Sequence, residues 1–443
     1  IPNAVDYLAL INGFVVFGTI GCLLITSRFD FGLRGFFSGG ESQRGDGRDF
    51  AYTIGLLFSC LLFALGVYFY YVPYDCTGFY AMLHSPGLLN AVRELSLKLL
   101  TDSIPKYTYS VFRSVFLPLL VAVFALYFYV CLTSGKYTRS AAAVVAIIFL
   151  FPLSLIVGAK GDAVYIMLVI AVTFMVLAKT FRAKIFLAGV AVVFGLALMT
   201  LITLLVAKNF SATEASIDHF HACERNLNQH GVVDFYLKRY SFEVTEVSET
   251  DPDPVMRPKA GVFRNDGPPQ KVYVNEQFEA MVARIFKTPT MVAGWYFDFV
   301  QQEGFVGVSG LPRLATLMRA PSIDLPNRIG VRYAEHGQAL KTISAVTGYV
   351  VWWYACFGLV SLGAALVALW LLDVVLFAFL RCVKGVLRVP AYAALMVVST
   401  KFVESDWAVV WITHGFLIVA IAAIVVDRIS RFLAEKTRLK QLI

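Results

Sequence analysis

Arg284, Arg313, Arg319, Arg328 and Arg332 crowd into one stretch of the chain, with Gly304, Gly307 and Gly310 among them. A guanidinium is planar and donates two parallel hydrogen bonds, a geometry that matches phosphate and carboxylate. Glycines let the backbone bend closely around a ligand. Together these residues predict an anionic ligand, although any one arginine reads equally well as part of a solvated loop. The same stretch holds Phe286, Trp295, Tyr296, Phe297, Phe299 and Phe305, a run too polar to cross a bilayer and too aromatic for an ordinary loop. Such rings either anchor half-inserted helices at a membrane interface or stack on the apolar faces of sugars, and one cleft can do both. Glu335-His336-Gly337 follows the arginines. An imidazole there, with an ordinary pKa near 6.5, suits a general base at neutral pH; the competing reading is a structural loop histidine.

Other chemistry-bearing residues lie further off. Lys160 and Asp162, in Gly158-Ala-Lys-Gly-Asp162, interrupt an apolar stretch that otherwise runs from Ala141 to Leu177. Lys160 either snorkels to the interface as a topological marker or binds an anion such as a lipid phosphate. His219, His221, Cys223 and His230 are close in sequence, but their spacing matches no zinc pattern, and neither a metal nor a cofactor is expected. Glu404 and Asp406, with His414, sit near the last two apolar runs, where ionisable residues are candidates by default. The seven cysteines show no CxxC spacing, and most read as small buried hydrophobes. Whether Cys76 and Cys223 pair stays open.

The elements that must position these residues follow from composition. With 58% hydrophobic and only 15% charged residues, the chain is far less charged than soluble proteins, which average about 25%. It is expected to be an all-α, polytopic membrane protein, because apolar runs of about 20 residues select helices in lipid. Nine spans are expected, at Val5–Ile25, Ala51–Val72, Val111–Leu132, Ala141–Val157, Ala163–Leu177, Ile185–Val206, Val346–Leu372, Ala391–Phe402 and Trp407–Val426. The chain begins with Ile, and one more helix is expected to precede it. Each short loop assigned to the inside carries Lys or Arg, in keeping with the positive-inside rule. The expected organisation is therefore N-terminal spans over 1–206, a large extracytoplasmic loop over 207–345, and C-terminal spans with a basic cytoplasmic tail over 346–443. Leu88–Leu100 has the spacing of an amphipathic surface helix. The net charge of +8 is dispersed, without a basic face or recognition motif, so nucleic acid is not an expected partner. No internal repeat is evident, which counts against transporters built on duplicated halves.

On these features the chain resembles the oligosaccharide repeat-unit polymerases of bacterial envelopes, the O-antigen polymerase (Wzy-type) family. The resemblance is carried by the cation turn Gly158-Ala-Lys-Gly-Asp162, the large loop with Arg284 and Trp295-Tyr296, the Arg319-to-Gly330 spacing, and the return helix with Gly337-Gln, Tyr349 and Tyr354-Ala-Cys-Phe-Gly-Leu-Val-Ser-Leu-Gly363. Lys160 departs from the pattern, since an Arg is usual at that turn. The resemblance implies a GT-C-like fold and an inverting, metal-independent glycosyl transfer at the outer, periplasmic face of the bacterial inner membrane. It implies an undecaprenyl-pyrophosphate-linked glycan as substrate, membrane lipid around it, and a chain-length regulator as a candidate partner. Lys160, Arg284, Arg319 and Arg328 would hold phosphates, Trp295 and Tyr296 would bind substrate, and His336 with Glu335 would serve the acceptor hydroxyl. An O-antigen ligase, which transfers the glycan to lipid A core, shares most of these features; a membrane transporter is the rival from another class.

Overall fold

The computed structural model of the protein describes residues 13–21, 47–84, 107–109, 111–156, 160–178, 214–226, 288–333, 347–403 and 415–442, together with scattered single positions. The described residues form helices and their connections, with no strand among them. Four described helical runs are long and apolar enough to cross a membrane: Arg48–Tyr71, Tyr107–Thr133, Tyr137–Ser154 and Tyr349–Phe379. Ala163–Leu177 and Arg388–Ser399 are apolar but shorter. These six fall on expected spans. Ile185–Val206 and the amphipathic stretch Leu88–Leu100 lie almost wholly outside the described residues, as do the ends of Val5–Ile25 and the first part of Trp407–Val426. Most of the expected loop before residue 288 lies outside them too.

The chain divides into two compact units, one of residues 1–54 and 273–443, the other of residues 55–272. The boundary falls inside helix α1 (Gly47–Tyr71), and the units do not coincide with the three sequence segments.

In the unit of residues 55–272, α2 (Gly78–His84) precedes a bundle of α3 (Leu117–Thr133), α4 (Tyr137–Ser154) and α5 (Lys160–Leu177). Leu119 to Val123 on α3 are all buried, while α4 exposes Ile148 and Phe149; α3 is the inner post and α4 the outer. Pro118 falls in the first turn of α3, directly after a π-helical turn at Phe112–Phe116. The helix runs on through both, from Tyr107 to Thr133, so the widened π turn accommodates the missing N–H without a break. A disulfide joins Cys76 to Cys223 on α6 (Glu214–Asn226) across 147 residues. Around it, His219 Nε2 lies 3.1 Å from the Asp75 carbonyl oxygen, and His221 pairs with buried Glu224. The cysteine and two of the histidines that suggested a metal pattern thus hold this junction together; His230 lies outside the described residues.

The other unit is built on α7 (Thr288–Glu303), α8 (Pro312–Leu317), α9 (Leu325–Tyr333), α10 (Tyr349–Phe357), α11 (Ser361–Cys382), α12 (Arg388–Ser399) and α13 (Phe416–Leu442). Val292, Tyr296, Phe299 and Val300 recur at helical spacing on α7 and meet Leu325 and Ile329 of α9 and Val351, Trp352 and Ala355 of α10 in one buried cluster. The helical segment 13–21 lies so close to α11 that a Cβ on Gly21 would fall 1.9 Å from Trp370 Nε1, the small-residue packing that lets membrane helices approach. At the far end of α11, buried Asp427 of α13 accepts hydrogen bonds from the Lys384 and Gly385 backbone N–H groups and from Arg431.

The expected single span from Val346 onward is instead two helices. Gly358 adopts φ 66°, ψ −154° between α10 and α11, a region that only glycine enters without strain. The interruption takes the Ala355 carbonyl out of the helical ladder, and the Val306 N–H donates to it at 3.1 Å. Trp352 Nε1 donates to the Gly310 carbonyl at 2.8 Å. Phe305 closes over the break, its Cζ 2.8 Å from where a Gly358 Cβ would stand. Gly358→Ala is therefore expected to destabilise the protein by about 1–3 kcal/mol, measured by thermal unfolding in detergent. Adding Phe305→Ala removes the clash but not the backbone strain, so the double variant should regain only part of the loss.

Candidate functional site

Charged groups of the α7–α9 layer converge where α7 ends. Arg328 and Arg332 stand one turn apart on α9, so both guanidiniums face the same way. Both donate to the carboxylate of Glu303, the last residue of α7, and Arg332 also donates to the Gln302 side-chain oxygen. Gln302 in turn donates to Asp298 at 2.8 Å. The cluster remains open to solvent, with 48% of the Arg328 side chain and 31% of that of Glu303 exposed. An exposed ion pair contributes at most about 1 kcal/mol, so this contact can open at little cost.

Aromatic rings frame it. Trp295 stacks on Tyr333 with centroids 6.2 Å apart and planes 15° from parallel, and the Arg332 guanidinium lies 5.5 Å from the centre of the same Tyr333 ring. Arg328 lies equally far over Phe299. The buried Tyr333 hydroxyl meets no acceptor at hydrogen-bond geometry among the described residues. Burial first, and the Asp298 carboxylate second, push it up to about 12. Burial likewise holds the Tyr296 phenol far above its ordinary range.

The residues expected to act are distributed as follows. Trp295 and Arg328 meet in this layer, with Trp295 half-buried and Arg328 exposed. Tyr296 is fully buried in the core cluster, its ring facing protein. Arg319 is exposed and closes α8: its N–H donates to the Thr316 carbonyl and that of Ala320 to the Ala315 carbonyl, the paired hydrogen bonds of a Schellman turn. It does so at φ 55°, a conformation that favours glycine. Lys160 opens α5 in the other compact unit, and its side chain is outside the described set. Arg284, Glu335 and His336 lie outside the described residues. Glu303, Gln302, Asp298 and Tyr333 were not singled out from sequence. A helical register would have shown Trp295, Asp298 and Gln302 along one face of α7, with Arg328 and Arg332 spaced by four on a following segment.

Comparison with known proteins finds no matching family model, no matching curated protein and no matching solved structure. Two guanidiniums converging on one carboxylate form a fork pair that a phosphate or pyrophosphate would fit in its place.

Glu303→Gln is expected to strengthen binding of inorganic pyrophosphate several-fold at low salt, since a neutral amide competes less well for two cations. Arg332→Ala should weaken it, and isothermal titration would register both. Arg319→Gly should raise thermal stability by about 1 kcal/mol by relieving the left-handed backbone; loss of pyrophosphate affinity in that folded variant would identify Arg319 as a ligand. The raised Tyr333 pKa favours the neutral phenol in the fold, so its contribution is complete below pH about 10 and lost as pH rises through about 12. Tyr333→Phe should therefore lose stability less steeply than wild type across that window, followed by thermal unfolding.

Proposed function

We propose that the protein polymerises undecaprenyl-pyrophosphate-linked oligosaccharide repeat units by inverting, metal-independent glycosyl transfer at the periplasmic face of a bacterial inner membrane. The observation that carries this reading is the convergence of Arg328 and Arg332 on a single acidic point beside the Trp295–Tyr333 stack. A departing pyrophosphate gathers negative charge, and two converging guanidiniums stabilise it. Aromatic faces alongside suit the apolar side of a sugar ring. In this reading Arg328, with Arg284 and Arg319, holds the diphosphate, and Lys160, in the other unit, is a phosphate-binding cation in its own right. Lys160 stands in the first turn of α5, where unpaired backbone N–H groups also favour an anion. Trp295 belongs to the substrate cleft, backed from the core by the buried Tyr296, and His336, oriented by Glu335, takes the proton of the acceptor hydroxyl as it attacks the anomeric carbon. Nine spans, a large outer loop and a chain-length regulator as partner complete the proposal.

The Cys76–Cys223 disulfide supports the orientation. Such bonds persist in oxidising compartments such as the bacterial periplasm, which favours an extracytoplasmic position for the chain after α1 and for α6. One observation favours transport instead: the interruption at Gly358, since transporters bind substrates at broken helices. Here the carbonyl of Ala355 already has the Val306 N–H as its donor, which leaves less of the backbone free for an ion.

The test is purified protein reconstituted with an undecaprenyl-pyrophosphate oligosaccharide, with products separated on a gel. A ladder growing by whole repeat units is expected. Transfer to added lipid A core without a ladder would mean a ligase, and neither product from folded protein would return weight to transport. Arg328→Ala, Arg284→Ala and Lys160→Ala should each lower ladder growth by about 10²–10³-fold with insertion unchanged. His336→Ala should lose turnover but retain donor lipid; full-length polymer from all four variants would defeat the assignment.

A further inference from the structure

We infer that the segment from Phe305 to Met318 is a membrane-docking edge, with the Phe305, Leu317 and Met318 side chains seated among lipid acyl chains where α11 meets the bilayer surface. The inference rests on the membrane character of α10–α11, not on the proposed reaction.

Length fixes the depth. The run Tyr349–Phe379 has 31 residues, more than the about 20 that a helix needs to cross the ~30 Å hydrocarbon layer. α11 alone, with 22 residues, covers about 33 Å, enough by itself. It ends in the basic turn at Arg381, the residue type that marks the membrane–water boundary. The opposite boundary therefore lies at the head of α11, at the Gly358 break. Val360 is 84% exposed there, with Phe357 and Leu359 also exposed. In a span, such side chains face lipid.

The loop after α7 is fastened to that same level. Val306 donates to Ala355 and Phe305 covers Gly358, while 56% of Phe305 remains exposed. It thus continues the lipid-facing surface of the span. Farther along, α8 buries Ala315 on one side, whereas Leu317 and Met318 are 79% and 61% exposed. Large apolar side chains followed at once by exposed Arg319 make the pattern of an interfacial element: hydrocarbon below, a cation at the phosphate level above. Water would not favour this arrangement. A bilayer would, since each fully buried Leu or Met gains about 1.5–3 kcal/mol. Glu303, two residues before Phe305, then brings its arginine pair to the depth of lipid phosphates, so an anion tethered to a lipid reaches it by lateral diffusion.

The test uses Leu317→Cys and, as the water-facing comparison, Gln301→Cys, which is exposed on α7. Cys60 and Cys382, which are accessible among the described residues, and Cys22 are first replaced by Ser. Each variant carries an environment-sensitive fluorophore in vesicles of phosphatidylethanolamine and phosphatidylglycerol, some of the lipid bearing a nitroxide high on the acyl chain. The label at position 317 is expected to be quenched by the nitroxide lipid at least about threefold more than that at 301, and to be shielded from aqueous iodide. Equal nitroxide quenching at the two positions overturns the inference. So does shielding of position 317 from both quenchers, which would mean cover by protein. Should Leu317→Cys fail to elute as a single species, Met318→Cys carries the same comparison with the same outcomes.

Discussion

A carbonyl released from a helix inside an apolar core must find another donor, because leaving it bare costs more than a typical hydrogen bond contributes. That requirement organises the unit holding the candidate site. The interruption at Gly358 strips the Ala355 carbonyl of its helical partner, and the Val306 N–H replaces it. Once Val306 is pinned, the end of α7 is pinned with it, which holds the Glu303 backbone beside Arg328 and Arg332 even though the ion pairs themselves open easily. Trp352, donating to Gly310, fixes the next stretch of the loop in the same way. The polar cluster at the surface thus depends on backbone pairing beneath it rather than on the strength of its own ion pairs.

Much of this fold was legible in the sequence, for a simple physical reason. A long apolar run in lipid has one solution, a helix, so the described spans fall where hydropathy puts them. The interruption was not legible, since a glycine within an apolar run is common in membrane helices and only its backbone conformation and its packing against Phe305 distinguish this one. The aromatic run of α7 misled in part. Its rings were read as surface chemistry, yet Tyr296, Phe297 and Phe299 are core, and the helical recurrence of Val292, Tyr296, Phe299 and Val300 was the signal for it. Of the candidate cations, Arg328 kept a place in a charged cluster, though its nearest anion turned out to be the chain's own Glu303. Arg319 drew attention as a cation, whereas its backbone conformation ends a helix, a property no side-chain pattern reveals.

The Cys76–Cys223 bond ties two parts of the chain that are made far apart in time. With 147 residues between them, a ribosome adding about 5–20 residues per second needs roughly 7–30 s to produce the second cysteine after the first. Through that interval Cys76 waits as a thiol while α3, α4 and α5 are synthesised and inserted. Closure of the bond is therefore a late event in biogenesis: it forms only after α3, α4 and α5 have been made and α6 has been brought beside Cys76. A chain in which α6 fails to reach Cys76 cannot close it, so the oxidised bond is a record, carried in the mature protein, that the two ends of this long stretch met.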